Sequence, residues 1–491
     1  MRKKASFTVT DLDHFKRNLL HWAEGFDEAV WLEGNGHRDP FGAFDALLAV
    51  EGFTSLVTDF QDAFADLEKY QKKTRDWIFG YLSYDLKNDI EELSSRNFDG
   101  LLFPDLYFFQ PMKIIRITGE IVDFLYLNHV AGDMEKDFDE IAKRKPRMEN
   151  SPQNESQLGE SSQNETQGES PQGESPQGES PQGESPQGES PQGESPQGES
   201  PQGESPQIKN IQALKDIRIK LRIFKDEYFT RIRELQQHIH RGDVYEANFC
   251  QEFYAEDAQI DAIQTFERLN AISKAPFSVF LKLRDKFLLS ASPERYLRKK
   301  GNQLVSQPIK GTARRSLDPN ADSDLKNALK RDAKERAENI MIVDLVRNDL
   351  SKSAIKGSVR VEALCEVYSF EQVHQMISTI TAEVPHDRNP LEIIKETFPM
   401  GSMTGAPKIS ALKIIEDLEA FKRGLYSGAV GYFTPEGDFD FNVVIRSILY
   451  NATKKYLSYA VGSAITAKSI PEREYEECLL KAKAMREVLE R

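Results

Sequence analysis

The sequence predicts a mixed α+β fold, on three observations. Stretches of helical periodicity and stretches of strand-type residues are interspersed along the chain rather than segregated. The same mixture recurs on both sides of a low-complexity block. No run approaches the roughly 18 apolar residues that a membrane span needs.

The elements follow in order. In residues 1–149 the periodicity predicts helices over Leu12–Trp22 and Asp59–Tyr70. Strand-like runs occupy Trp77–Tyr84, Leu106–Phe109, Lys113–Ile117 and Glu120–Tyr126. In residues 208–491 Phe277–Leu283, Lys286–Ala291 and Gly428–Tyr432 read as strands. Ile208–His240, Asp324–Leu350, Pro390–Phe398, Lys408–Leu418 and Pro471–Leu489 read as mostly helix.

Between these parts lies 150–207, with almost no large apolar side chain. Its residues 168–207 are eight tandem copies of Gly-Glu-Ser-Pro-Gln. A five-residue period is too short for a solenoid, which needs about 20 residues or more per repeat. Nothing in it can offset ordering entropy by burial, so a flexible linker is expected. The expected organisation is an N-terminal domain over 1–149, the linker over 150–207 and a second domain over 208–491.

The net charge of −15 argues against a nucleic-acid surface, which shows clustered Lys and Arg. The three cysteines, Cys250, Cys365 and Cys478, are far apart and form neither a disulfide framework nor a zinc ribbon. MRKKASFTVTDLDHF is basic at its start but has no apolar h-region. A cytoplasmic protein without a membrane or nucleic-acid partner is expected.

Two expected helices carry carboxylates in register. Glu335 and Glu338 are three residues apart and share a face. On the last helix Glu474, Glu477 and Lys481 share another, while Tyr475, Leu479, Ala482, Met485 and Leu489 form an apolar stripe. Two Glu-x-x-Glu pairs could together hold Mg²⁺, which takes oxygen ligands and keeps several waters. Alone, each pair also fits a solvated charged face.

Further segments occur in a fixed order: Ser292-Pro293-Glu294-Arg295, Pro308-Ile309-Lys310-Gly311-Thr312, Glu338 through Asp349, Gly401 through Lys408, and Asn442-Val443-Val444-Ile445-Arg446. This set resembles the chorismate-binding enzymes, namely the large subunits of anthranilate and aminodeoxychorismate synthases and the isochorismate and salicylate synthases. The resemblance is strong over about residues 230–491 and weaker through Trp77–Asp85. It implies an anthranilate synthase component I-like fold. Two subdomains would carry large antiparallel sheets flanked by helices, with N-terminal strands in a shared core.

The resemblance also implies roles. Glu338 and Glu477 match direct Mg²⁺ ligands, and Glu335 and Glu474 match helpers acting through water. The metal would hold the ring carboxylate of chorismate, which Gly311 and Thr312 would also bind. Tyr426, Arg446, Gly462 and Lys481 match binders of the enolpyruvyl carboxylate, a task suited to the planar guanidinium. Glu294 matches the general acid that protonates the departing C4 hydroxyl. A carboxyl buried near an anionic substrate should have a raised pKa, which fits that task. His374 sits where the family has a histidine near the ring; a core or capping histidine remains open.

The branches differ in how the nucleophile is supplied. Isochorismate and salicylate synthases resemble one another in using a lysine base for water, which would fall near Ala247. Lys310 stands where anthranilate synthases usually have Ala and aminodeoxychorismate synthases have Lys. Its amine, neutral if burial lowers the pKa, would attack C2 as the C4 hydroxyl leaves. Ammonia would then attack C4 and expel the lysine. The alternative is that Lys310 binds substrate by charge alone.

No glutaminase signature is present, so the resemblance implies a separate glutamine amidotransferase subunit or free ammonia. The chain would stop at 4-amino-4-deoxychorismate, on the route to 4-aminobenzoate and folate. Trp31-Leu32-Glu33-Gly34-Asn35 lies where some members begin a tryptophan-binding motif, but it departs from their serine-containing form. Two other readings stay open: an anthranilate synthase component I, and a non-catalytic scaffold built around the repeat.

Overall fold

Strand side chains here alternate between two cores, and that alternation organises the molecule. In the strand Glu28–Glu33, Val30 faces one core while Ala29 and Trp31 face the other. In Phe277–Leu283, Val279 and Leu281 face the first and Phe280 the second. Successive Cβ atoms point to opposite sides of a pleated strand, so both faces of this sheet are covered. The computed structural model describes residues 1–37, 39–144, 217–371 and 373–490. The expected linker, 150–207, lies outside them.

One core is closed by helices. Leu12–Ala23 contributes Phe15 and Leu19, Lys225–Arg241 contributes Tyr228, Ile232 and Leu235, and Pro471–Leu489 contributes Tyr475, Cys478, Ala482 and Met485. The other core lies largely between strands, among them Ile78–Leu82, Leu106–Thr118, Ala429–Phe433 and Phe439–Val443. The helices Ala333–Ser351 and Pro390–Thr397 also feed it, through Ile342, Val343, Val346, Leu391 and Ile394.

Among the described residues twenty strands join into one hydrogen-bonded network. Two antiparallel ladders tie distant parts of the chain together. Glu28–Glu33 pairs with Phe277–Leu283, and Ile78–Leu82 pairs with Ala429–Phe433, with Gly80 opposite Gly431. That crossing needs glycine: a Cβ on Gly80 would fall 1.9 Å from the Tyr107 carbonyl oxygen, and one on Gly431 2.0 Å from that of Asp440.

Several expected elements change shape. Leu106–Phe109 and Lys113–Ile117 are one strand, Leu106–Thr118. Pro111 sits opposite Gly52, where the partner strand shifts register, so the missing donor falls at an irregularity. Asp324–Leu350 is two helices, Pro319–Arg331 and Ala333–Ser351, parted at Asp332. The Asp332 carboxylate accepts the Glu335 N–H and starts the second helix. The Ile208–His240 helix covers only Lys225–Arg241, and Gly242 ends it at φ +86°. Upstream of it Lys220–Leu221 is a short strand, and 208–216 lie outside the described residues. Asp59–Tyr70 becomes Ala63–Thr74. Pro471–Leu489 has the expected bounds, with proline in its first turn.

No described helix is long and apolar enough to cross a membrane.

Candidate active site

Glu294 is held where the end of one strand meets the start of another. Its N–H donates to Ser292 Oγ at 3.3 Å, and its carbonyl accepts from Val443 N at 3.0 Å. The side chain is buried, 4 % exposed. Burial pushes its carboxyl up to about 7, with Ser402, the Lys310 and Arg446 cations and the Ile309 N–H offsetting part of the rise. It is thus a carboxyl able to carry a proton near neutrality, facing two cations.

Lys310 lies on the strand Ile309–Arg314, with Nζ 3.6 Å from Glu246 Oε1. Burial pulls the ammonium down, but Glu246, Glu338, Glu294 and Glu477 outweigh it and raise the pKa. The amine is therefore a cation here, not the neutral group that burial alone would leave. Beside it Gly311 has φ +88°, and a Cβ there would lie 3.1 Å from Glu335 Oε2 and 3.2 Å from Leu329 Cδ1. Thr312 follows, opposite Gln375 on the strand Val373–Glu383.

The carboxylates on two helices converge on Lys310. Burial raises Glu338 to about 7, and its Oε1 is buried without a hydrogen-bond partner. Glu335 is raised by burial and then by the Glu477 charge. For Glu477 burial also acts upward, but Lys481 at 2.7 Å holds the carboxyl below its ordinary value. Glu474, 1 % exposed, accepts from Ser463 Oγ and from Lys334 Nζ at 3.3 Å. A protein-bound lysine and serine thus meet the group expected to act through water.

No three or more His, Cys, Asp or Glu side chains among the described residues are grouped as a metal cage. The donor set fits Mg²⁺ in another form. Buried like charges favour a hard cation, and among the described residues Glu338 Oε1 is met only by Lys334 Nζ at 3.7 Å; one or two carboxylates suffice when water and substrate complete the shell.

The remaining expected binders meet on one side. Lys481 Nζ donates to the Gly462 carbonyl at 2.8 Å. A Cβ on Gly462 would meet Asn248 Nδ2 at 2.7 Å and Cys250 Sγ at 2.9 Å, and Cys250 Sγ lies 4.0 Å from Tyr426 Oη. Arg446, at φ +51°, makes no side-chain hydrogen bond or ion pair among the described residues. Burial lowers its pKa while Glu294 opposes. A guanidinium left without a partner in a half-buried position is suited to an incoming carboxylate.

His374 is tied on both nitrogens. Nδ1 is 3.0 Å from Ser369 Oγ, and Nε2 is 3.1 Å from Asp322 Oδ1. Asp322 is itself held by Arg315 and the Ser316 N–H. The ring, 1 % exposed, fastens two strands and a helix. Both ring nitrogens thus have protein partners, an arrangement that fits the core or capping role as readily as substrate binding.

Sequence reasoning missed three groups. Glu246 is 1 % exposed, with Oε2 unpartnered. Asn248 shares its strand face. Ser402, beside Glu294, sits in the quoted Gly401–Lys408 segment that had been given no role. The telling position was placed near Ala247, but Ala247 faces the helix-side core. Its neighbour Glu246 is the residue that reaches Lys310.

A recess of about 340 Å³ reaches Glu294 and Ser402 from the side of Val346 and Met400; Lys310 and Arg446 do not line it. A second cavity, about 670 Å³, lies between Leu32–Asp45 and Arg295, where Arg295 is bound by Asp39 and Asp440.

Comparison with known proteins matches residues 28–487 to the family described as chorismate binding enzyme. Over 251 residues the chain is 42% identical to aminodeoxychorismate synthase component 1 of Salmonella typhimurium, covering 51% of this chain and 55% of that one. The chain thus spans about half the length of that relative. Among solved structures it is similar to anthranilate synthase component I from Streptococcus pneumoniae, at TM-score 0.67 and 21% identity, covering 92% and 94% of the two chains. It is also similar to the menaquinone-specific isochorismate synthase from Escherichia coli, at TM-score 0.69 and 16% identity, covering 100% and 95%. At these identities the likeness is one of fold. The expected anthranilate synthase component I-like architecture is the one observed.

Proposed function

This chain belongs to the family of chorismate-binding enzymes, and on that footing we propose that it converts chorismate and ammonia to 4-amino-4-deoxychorismate. The observation that carries this reading is a buried, protonatable Glu294 acted on by the Lys310 and Arg446 cations together. A lysine beside a protonatable carboxyl can supply a nucleophile at one carbon and a proton at another. The relative of that name supports the same choice.

In this reading Arg446, Lys481, the Gly462 backbone and Tyr426 orient the enolpyruvyl carboxylate. Gly311 and Thr312 orient the ring carboxylate. Mg²⁺, held by Glu338 and Glu477 directly and by Glu335 and Glu474 through water, would neutralise that carboxylate. Lys310 forms a bond to C2, the two ring double bonds shift, and the C4–O bond breaks. Glu294 gives its proton to the departing oxygen, which leaves as water. Ammonia then bonds to C4, and the C2–N bond electrons return to Lys310. The incoming ammonium supplies the proton that replaces the one Glu294 spent.

The wider reading has residues 208–491 carrying the reacting groups, 1–149 supplying strands and 150–207 serving as a flexible linker. A separate glutamine amidotransferase subunit or free ammonia is the nitrogen source, the setting is cytoplasmic, and another protein completes 4-aminobenzoate. An alanine at 247 cannot activate water, but its neighbour Glu246, 3.6 Å from Lys310, is a carboxylate able to serve as such a base. The distinction from isochorismate chemistry rests on Lys310.

The test is to incubate the purified chain with chorismate, Mg²⁺ and ammonium and to identify the product by mass. An amine in place of the hydroxyl, with the enolpyruvyl group retained, is expected. Anthranilate with pyruvate, or isochorismate, would overturn the reading. Lys310→Ala should slow turnover by about 100-fold or more, within the range measured for single catalytic groups.

A further inference from the structure

Glu246 is a buried carboxylate that the mechanism above does not use, and its position is fixed from both sides. It opens the strand Glu246–Ala255 and pairs with Ala406, while Gly405 packs on its carbonyl so closely that a Cβ would lie 2.2 Å away. The flanking Tyr245 N–H donates to the Ala406 carbonyl at 2.7 Å. With period two, Glu246, Asn248 and Cys250 share a face. Asn248 and Cys250 meet Gly462 and Tyr426 on that face. Glu246 therefore points into the same space as the expected substrate binders.

There its Oε1 is 3.6 Å from Lys310 Nζ, and Oε2 has no partner. The lysine cannot attack while it holds three protons, because its lone pair is then occupied. Glu246 is the carboxylate that forms an ion pair with it. Glu338 and Glu477 are the expected metal holders, and Glu294 must stay protonated for the leaving oxygen.

We propose that Glu246 takes a proton from the Lys310 ammonium before the attack and returns it when the lysine is released, which rests on reading Lys310 as the nucleophile. The bookkeeping closes on the pair. The carboxylate and ammonium become carboxylic acid and amine, and the amine forms the bond to C2. When ammonia attacks C4, Lys310 departs as a neutral amine and recovers its proton from Glu246. Burial, only partly offset by Lys310, raises the Glu246 carboxyl above its ordinary value, so it holds a proton more readily than a surface glutamate would.

The test uses the full chain with chorismate, Mg²⁺ and ammonium chloride. Glu246→Gln keeps the shape and removes the base. Its kcat should fall about 100-fold, with KM for chorismate changed less than about threefold. Glu246→Ala, which opens a small space beside Lys310, should regain activity with added formate. A kcat within twofold of wild type for Glu246→Gln would overturn the proposal. So would a slow Glu246→Gln whose Ala counterpart gains nothing from formate, because the side chain would then only fill space. Isochorismate release by the wild type would overturn it too, making Glu246 a base for water. Lys310→Ala separates the two levels. If that variant is inactive while Glu246→Gln is fast, only the Glu246 assignment fails. If Lys310→Ala retains full rate, the nucleophile reading fails with it.

Discussion

Glu477 and Lys481, one helical turn apart, form an ion pair of 2.7 Å, and the same ammonium donates to the Gly462 carbonyl. The pair joins a group expected to hold metal to one expected to hold substrate. Lys481 competes with a cation for Glu477, so Lys481→Ala should act in opposite directions on the two ligands. The Mg²⁺ midpoint without substrate should drop by up to about fivefold, the worth of a part-exposed pair. KM for chorismate should rise about tenfold, as for the loss of one charged contact. Calorimetric titration and steady-state kinetics read the two signs separately.

Glu294 ties activity and stability to pH with a defined sign. Its folded pKa, about 7, lies above the ordinary carboxylate value. The stability it contributes is therefore complete below the unfolded pKa and is lost as pH rises through about 7. Charging it costs on the order of 3 kcal/mol. Glu294→Gln avoids that cost, so its advantage in urea unfolding over wild type should be larger at pH 8 than at pH 5. The same variant should be nearly inactive, and wild-type kcat/KM should decline above pH 7. A flat stability difference across that range would contradict the assignment.

Gly311→Ala combines backbone strain with a crowded Cβ against Glu335 and Leu329. A left-handed alanine costs roughly 1–2 kcal/mol. A lower melting temperature is expected, with turnover reduced at least tenfold because Lys310 is adjacent. Normal turnover would mean that the loop does not touch substrate.

Mg²⁺ should raise the melting temperature, since a cation bound only by the folded state stabilises by mass action. Glu338→Gln should abolish that shift while folding normally, because it removes the carboxylate charge and keeps the shape and a buried oxygen. Calorimetric melts with and without the metal read this independently of turnover.

Arg423 and Glu419 are buried and doubly hydrogen-bonded, at 2.6 and 2.9 Å. The guanidinium also holds the Asn248 and Met403 carbonyls, each at 2.7 Å, which ties the Glu246 strand to the Ser402 loop. Arg423→Met should cost about 3–5 kcal/mol in urea unfolding by stranding Glu419. Changing Glu419 to Leu in the same chain should recover part of that loss.

What the sequence offered about the site came mainly from motifs whose order resembles a known family. Glu294, Lys310 and Arg446 stand in ordered motifs, and Glu338 and Glu477 stand in helical register. The helix Pro471–Leu489 was legible because proline, acidic first turn and apolar stripe agree. Glu246 was not legible. Its strand, Glu246–Ala255, is buried at nearly every position, polar residues included, so no alternation marks the faces. A shift of one residue there exchanges one face for the other, so the family position near Ala247 does not by itself point to Glu246. The partners of His374 were hidden for a related reason: Asp322 and Ser369 lie on different elements, and neither is predictable from its neighbours in the chain.

The ladder that places Gly80 against Gly431 has a consequence for biosynthesis. Ile78–Leu82 leaves the ribosome long before the strand that completes its second side, Ala429–Phe433, has been made. Its first partner, Leu106–Thr118, can join at once, while the other edge waits. Contacts of such long sequence separation form slowly, and an apolar edge left open is a template for association with other chains. Production of residues 217–491 alone would expose the mirror-image edges at Phe277–Leu283 and Ala429–Phe433. The recombinant fragment should accumulate as aggregate, and co-expression of residues 1–144 should return it to the soluble fraction.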